Sequence, residues 1–380
     1  MRILHTADLH LGRQFIGIPL DDDHATILDQ IARAVIDLRV DVLVIAGDIF
    51  DRAAPPATAV RQFNAFLSRV ASETNAAVVM IAGNHDSGDR IASMSIMTDT
   101  RRALIRGVVC ADEKPLLLSD EHGVVAFSGL PFSHEYAARE CFTDETMQTT
   151  EDVLVAQIAS ARRGVPDNAR RVIVAHAFVS GAHGSESERP LARVGGVEMA
   201  RPEIFDGHHY VALGHLHRPQ SVGVPHIRYS GSPLAFGFDE ADSAKSMSLV
   251  EIDGAGNATI EAIPFEPLRG VRTLRGKHAE LLLAKPSSDF IKAVLTDDAP
   301  IIDGMKRLRV VFPNACELVY ERNERAREVK SIDGIGKKMA DPLAVVGEFL
   351  ELVKDERMTD GERSVVASAL HDIRCGEDAA

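Results

Sequence analysis

The sequence predicts a layered α/β protein followed by a smaller mixed domain and a helical tail. Its 380 residues exceed one ordinary domain. Over residues 1–265, short β-type runs alternate with helical patterns, the mark of layered α/β folds. Pro264 and Pro267, and then a charged stretch from Glu321 to Ala340 containing Gly334 and Gly336, break the pattern twice. We therefore divide the chain into domains 1–265 and 266–330 and a tail 331–380. At 45% hydrophobic and 26% charged residues, the composition provides an ample core and argues against disorder.

The strands expected in the first domain are Arg2–Thr6, Val42–Ala46, Ala77–Ile81, Val124–Ser128, Val172–Ala175 and Tyr210–Leu213. Between the first two, Ile27, Ile31, Val35 and Leu38 recur at helical spacing, and Val60, Phe63, Leu67 and Val70 do so before the third. Met247–Ile252 and Ala258–Phe265 flank Asp253-Gly254-Ala255-Gly256 and read as a hairpin. In the second domain, Val271–Leu274 and Leu308–Phe312 look strand-like. The tail opens a helix at Asp341-Pro342, with Leu343, Val346, Leu350 and Val353 on one stripe. Thr359 and Glu362 have capping-box spacing ahead of Val366, Leu370 and Ile373.

Five short motifs follow expected strands, where ligands gather in open α/β sheets. Asp8 and His10 are two residues apart, so on an extended chain both point the same way, although a surface turn would look the same. In Gly47-Asp48-Ile49-Phe50-Asp51-Arg52, the Asp48 carboxylate has two oxygens and can bridge two cations; a helix-capping Asp is the bland alternative. Gly83-Asn84-His85-Asp86 offers a neutral amide oxygen at Asn84 beside an imidazole at His85 that is free for another role. His176 closes a strand, and by itself would be read as structural. In Gly214-His215-Leu216-His217, two imidazoles share one side of the chain. Taken singly most of these are weak. Together they supply carboxylate, amide and imidazole donors from five strand ends, a set suited to manganese, iron or zinc, and a dinuclear centre accounts for all of them.

The remaining composition sets limits. The 42 basic and 56 acidic residues give a formal charge of −14, which excludes a protein that coats nucleic acid by bulk electrostatics. Bound cations and a local basic strip can still reverse the field at one site. No apolar run approaches the roughly 18 residues of a membrane span, so no membrane association is expected. No signal-peptide pattern opens the sequence, and the four cysteines lie far apart, so a cytoplasmic location is expected. Arg269, Arg272, Arg275 and Lys277 form the densest basic run; a solvated strand face and a phosphate contact both explain it. With no tryptophan and no interleaved aromatics, base stacking has no support. His24 and His278 read as surface residues, and His5 as packed under the sheet.

The order D-x-H, G-D, G-N-H-D, a lone His and G-H-x-H resembles the signature of the calcineurin-like metallophosphoesterases. His5-Thr6-Ala7-Asp8, Asp51-Arg52-Ala53-Ala54-Pro55-Pro56, His85-Asp86-Ser87, His176-Ala177-Phe178, Ser187-Glu188-Arg189-Pro190-Leu191 and Ser230-Gly231-Ser232-Pro233-Leu234 narrow the likeness to the SbcD-type nucleases. The resemblance implies a β-sandwich flanked by helices, a small α+β capping domain at 266–330, and a C-terminal tail that grips an SbcC-type ATPase subunit. It also implies two divalent ions, manganese foremost, one held by Asp8, His10 and His217, the other by Asn84, His176 and His215, with Asp48 bridging. His85 would then be the general acid, oriented by Asp51, and Arg52, Arg269 and Arg272 would contact substrate. Further implications are DNA as substrate and a homodimer formed through the helices at Val60–Val70 and Ile91–Met97. A phosphatase or phosphodiesterase of small molecules or phosphoproteins is the competing reading, since it would share the metal core. A non-catalytic scaffold is disfavoured, because every implied ligand and His85 are present.

Overall fold

The computed structural model describes residues 1–96, 98–188, 192–193, 196–197, 199–321, 358–359, 361–363 and 365–366. Strands β1 (Arg2–Thr6), β2 (Val42–Ala46), β3 (Ala77–Ile81), β4 (Ala103–Arg106), β5 (Leu116–Asp120), β6 (Gly123–Leu130), β7 (Arg170–His176), β8 (Tyr210–Gly214), β9 (Gln220–Val222), β10 (Val224–Tyr229), β11 (Ser246–Ile252) and β12 (Ala258–Pro264) build two six-stranded sheets. The first runs β12-β11-β1-β2-β3-β4 and the second β9-β10-β8-β7-β6-β5. In each, the central strands are parallel, β1 to β4 in one and β6, β7, β8 and β10 in the other. Their C-terminal ends are where the five motifs begin.

Side-chain alternation makes the layers. Val42, Val44 and Ala46 join Val172, Val174, Tyr210 and Ala212 in a core that includes residues of both sheets. Leu43 and Ile45 belong instead to a second core with helices α1 (Asp21–Asp37) and α2 (Ala57–Glu73). Ile173, Ala175, Val211 and Leu213 face a third. A strand buried on both faces reads as a continuous apolar run, which is why Val42–Ala46 carries no polar residue. The 247–265 hairpin is present, with Ile252 opposite Ala258.

Contacts divide the chain into two compact units, the first holding Met1–Thr273, Pro286–Ile291 and Arg309–Cys316, the second Leu274–Lys285, Lys292–Leu308 and Glu317–Ala380. A third sheet takes the order Val271–Gly276, Phe290–Leu295, Ala315–Tyr320. The strand expected at Leu308–Phe312 is a correction: Gly304–Val311 is a helix, with Leu308 buried and Arg307 and Arg309 on other faces. His278 is also corrected from surface to interior, its Nε2 bonded to the Gly304 carbonyl at 3.0 Å. His24 is buried as well; it lies three residues before Ile27, on the same helical stripe.

The linker and the helix expected at 341–353 lie outside the described residues. The second tail signal falls partly inside: Thr359 N–H and Oγ both donate to Glu362 Oε2 at 2.9 Å, ahead of helical residues 361–363. No helix among the described residues is long and apolar enough to cross a membrane.

His5 is fully buried as expected, with Nδ1 2.8 Å from the Tyr210 hydroxyl, and burial pushes its imidazole down from 6.5 to about 3. The unfolded chain accepts a proton that the folded chain refuses between those values. The stability this group contributes is complete above pH 6.5 and is lost as pH falls toward 3. In urea titrations at pH 7 and pH 4.5, a His5→Gln variant is expected to lose less stability over the interval than the parent, by about 1 kcal/mol per pH unit. Equal losses would contradict this account.

Candidate metal centre

The strand ends bring all seven implied ligands into one buried cluster. Asp8, His10, Asp48, His176, His215 and His217 are almost wholly shielded from solvent, and Asn84 is partly so. Ligand atoms of Asp8, Asp48 and His176 lie within 4.8 Å of one another, as do those of His10, Asp51 and His85. Asp48 Oδ2 stands 3.6 Å from both His10 Nε2 and His176 Nε2, a position that suits a bridging carboxylate.

The backbone is strained to hold these groups. Asp8, His10, Asp48 and His215 adopt positive φ of 54°, 45°, 47° and 107°, a region that L-residues avoid. The motif glycines provide clearance. A Cβ on Gly83 would fall 2.2 Å from Asp48 Oδ1, and one on Gly214 would fall 1.9 Å from the Ala46 carbonyl oxygen. The Asp86 carboxylate ties two motif loops together by accepting N–H bonds from Ile49, Phe50 and Gly83 at 2.9–3.1 Å. Burial, and then the Asp48 charge, push that carboxyl up to about 7.

Burial favours the neutral forms of the clustered carboxylates and imidazoles. Burial, followed by the Asp48 charge, holds Asp8 well above the ordinary carboxylate range. Burial and neighbouring imidazoles hold His10 and His215 well below theirs, and burial lowers His176 and His217 to about 4. His176 Nδ1 donates to the Ala46 carbonyl at 2.9 Å, leaving a lone pair on Nε2, and that lone pair faces Asn84 Oδ1 at 3.0 Å. His215 Nδ1 approaches the same oxygen at 3.1 Å, and His10 Nε2 and His217 Nε2 stand 3.2 Å apart. Two nitrogens each about 2.0–2.1 Å from one ion are separated by roughly 2.9–3.4 Å, so these pairs have the spacing of neighbours in one coordination shell. The residues present fit divalent cations.

His85 sits at the edge of the cluster with a side chain 10% exposed. Its Nδ1 bonds to the Asp51 backbone carbonyl at 2.9 Å, and its Nε2 faces Asp48 Oδ2 at 3.9 Å. The implied orientation of His85 by Asp51 therefore runs through the main chain. The Asp51 carboxylate turns instead to His10 Nδ1 and Arg13 Nη1, each 3.6 Å away. Arg52 is exposed. Arg269, implied as a substrate contact, has its Nε bonded to both oxygens of the buried Asp23 at 3.1 Å, and its guanidinium lies 4.5 Å over the Phe290 ring. Arg272 makes only a half-exposed pair with Asp289 at 3.3 Å.

Sequence reading assigned no role to the residues behind His217. Ser187 Oγ is 2.6 Å from its Nδ1, Glu188 Oε1 accepts its backbone N–H at 2.6 Å, and Lys245 donates to its carbonyl at 2.8 Å. Ser187 and Glu188 stood in a string quoted for the resemblance, but nothing in their spacing to His217 shows this contact.

Comparison with known proteins identifies the family. A family model described as calcineurin-like phosphoesterase matches residues 1–219, more than half of the chain. The chain belongs to the calcineurin-like phosphoesterase family, and it is a hydrolase of the metal-dependent type. A second model, SbcD_C, described as the type 5 capsule protein repressor C-terminal domain, matches residues 264–354. Among solved structures, TT1561 of Thermus thermophilus is 13% identical, with a TM-score of 0.39, covering 69% of this chain and 98% of its own. So low a likeness adds nothing to the family assignment.

Divalent cations bind the folded cluster and not the unfolded chain, so they are expected to raise the melting temperature. At 100 times its dissociation constant each ion contributes about 2.7 kcal/mol. Thermal melts with manganese and then excess EDTA check this, and Asp48→Asn is expected to remove most of the increment. Melts indifferent to manganese would count against a metal centre here.

Proposed function

We propose that this chain is a manganese-dependent DNA nuclease, cutting phosphodiester bonds at DNA ends as the nuclease subunit of an SbcC–SbcD-type complex. On this reading it acts as a 3′–5′ exonuclease on duplexes and as an endonuclease on single strands. Residues 1–265 are its nuclease domain, 266–330 its cap, and 331–380 the tail that engages the ATPase partner. It works in the cytoplasm as a homodimer.

One observation carries the reading: a fixed imidazole, His85, at the rim of a cluster spaced for two cations. Asp8, His10 and His217 would hold one ion, Asn84, His176 and His215 the other, with Asp48 between them. When bound, such ions polarise the phosphate and lower the pKa of water. The chain's own residues supply the rest. The Asp51 carbonyl accepts the Nδ1 proton of His85, so that a proton on Nε2 points into the site and can pass to the departing sugar oxygen. Arg52 and Arg272 are the side chains left to meet backbone phosphates, since an exposed ion pair such as Arg272–Asp289 is weak enough to exchange its carboxylate for a phosphate. The match of residues 264–354 to SbcD_C supports the partner and the DNA substrate over a small-molecule phosphodiesterase. The net charge of −14 implies weak, salt-sensitive DNA binding by the chain alone.

The test is manganese-dependent degradation of linear duplex DNA, with and without an SbcC-type partner, beside hydrolysis of a chromogenic phosphodiester. His85→Ala is expected to lose about 10²–10⁴-fold in DNA cleavage while binding both ions. Full activity on the chromogenic ester with no cleavage of DNA, even with the partner, would favour the small-substrate reading.

A further inference from the structure

His217 is held by a closed ring of residues that lie outside all five motifs. Its Nδ1 is 2.6 Å from Ser187 Oγ, and that hydroxyl in turn contacts Glu240 Oε1. A hydroxyl carries one proton and a carboxylate only accepts. The Ser187 proton therefore goes to Glu240, and the Ser187 oxygen receives the Nδ1 proton of His217. This leaves the lone pair of His217 on Nε2, the nitrogen that faces His10 Nε2 at 3.2 Å. Glu240 is fully buried and pairs with Lys245, whose ammonium also donates to the His217 carbonyl at 2.8 Å and to Ser232 Oγ at 3.0 Å. Arg13 anchors the serine from the other side by donating to the Ser187 carbonyl at 2.9 Å.

Ser185 Oγ also lies 3.1 Å from Ser187 Oγ, and with the Ser187 proton on the Glu240 carboxylate the serine oxygen is left to accept from His217 Nδ1. His176 reaches the same end with a backbone carbonyl. The His10–His217 half of the cluster depends on a side-chain relay, which starts from a loop residue 30 positions from His217 in sequence.

We propose that Ser187, backed by Glu240 and Lys245, is a positioning residue that fixes the His217 tautomer and so sets the affinity of one of the two metal sites, leaving the other unaffected. The inference rests on the two-ion reading above. Removing the hydroxyl frees the His217 ring to rotate or to move its proton to Nε2, where it would block a cation. Loss of such an outer partner typically weakens metal binding by about 10–100-fold.

The experiment uses the full chain, stripped with chelator and titrated with manganese by calorimetry and by electron paramagnetic resonance. The parent should take up two ions and show the spin-coupled spectrum of a manganese pair. Ser187→Ala should bind one ion as the parent does and the other about 10–100-fold more weakly, with the six-line spectrum of an isolated ion at low loading. Ser187→Thr, which keeps the hydroxyl, should restore the pair. Metal-free Ser187→Ala should melt with the metal-free parent. The proposal is overturned if Ser187→Ala binds both ions as tightly as the parent, or if both sites weaken together with a lower metal-free melting temperature. A parent that binds no pair of ions would instead sink the two-ion reading itself.

Discussion

Acceptor facing acceptor, out of reach of water, is the constraint around which this protein is arranged. Asp8, Asp48 and four imidazoles are buried at the ends of parallel strands. A lone buried carboxylate costs several kcal/mol, and the chain relieves that cost only in part. Asp8 accepts the His215 backbone N–H at 3.0 and 3.1 Å on its two oxygens, yet burial still holds its carboxyl well above the ordinary range. Raised carboxylates and lowered imidazoles in one cluster share one cause, burial, which favours the neutral form of each. Divalent cations would offset the cost of the buried carboxylates and take up the lone pairs that the neutral imidazoles offer.

The scaffold must hold that arrangement against its own strain. Four site residues in the left-handed region cost of order 1–3 kcal/mol each, and such conformations persist only where the surroundings over-determine them. Here three apolar cores fix the strands on either side, and the loops between strand end and helix have little freedom left. Ring orientation follows from the same frame. His176 leans on the Ala46 carbonyl, His85 on the Asp51 carbonyl and His217 on Ser187, each through Nδ1. The nitrogen turned inward is therefore chosen by a neighbour belonging to another segment. In two of the three cases that neighbour is main chain, which mutation of its side chain does not remove.

That division explains what was legible in the sequence. Val42–Ala46 and the hairpin at 247–264 were visible because burial on both faces, or a Gly-rich turn, leaves a local pattern. The seven candidate ligands were legible as candidates because metal-ligating residue types stand at the ends of five of the parallel strands. The Ser187–Glu240–Lys245 relay was not, since its members meet His217 only through the fold. A basic run likewise shows charge but not partners: Asp23, which pairs with Arg269, lies 246 residues away in sequence. Leu308–Phe312 reads as apolar alternation, while the helix that forms there shields Leu308 and leaves Val310 in solvent. Helical spacing from Ile27 would have placed His24 inside; its polarity concealed the stripe.

The overall charge of the chain bears on how such a site meets a polyanion. A cluster built from carboxylates, in a protein of net charge −14, repels a phosphodiester until its cations are in place. Bound ions are the largest local charges in a site of this kind and invert its field. Loading then governs substrate approach as well as chemistry, and one site filled without the other leaves the field only half inverted. A relay that tunes one ion's affinity, as inferred for Ser187, would act on both steps together.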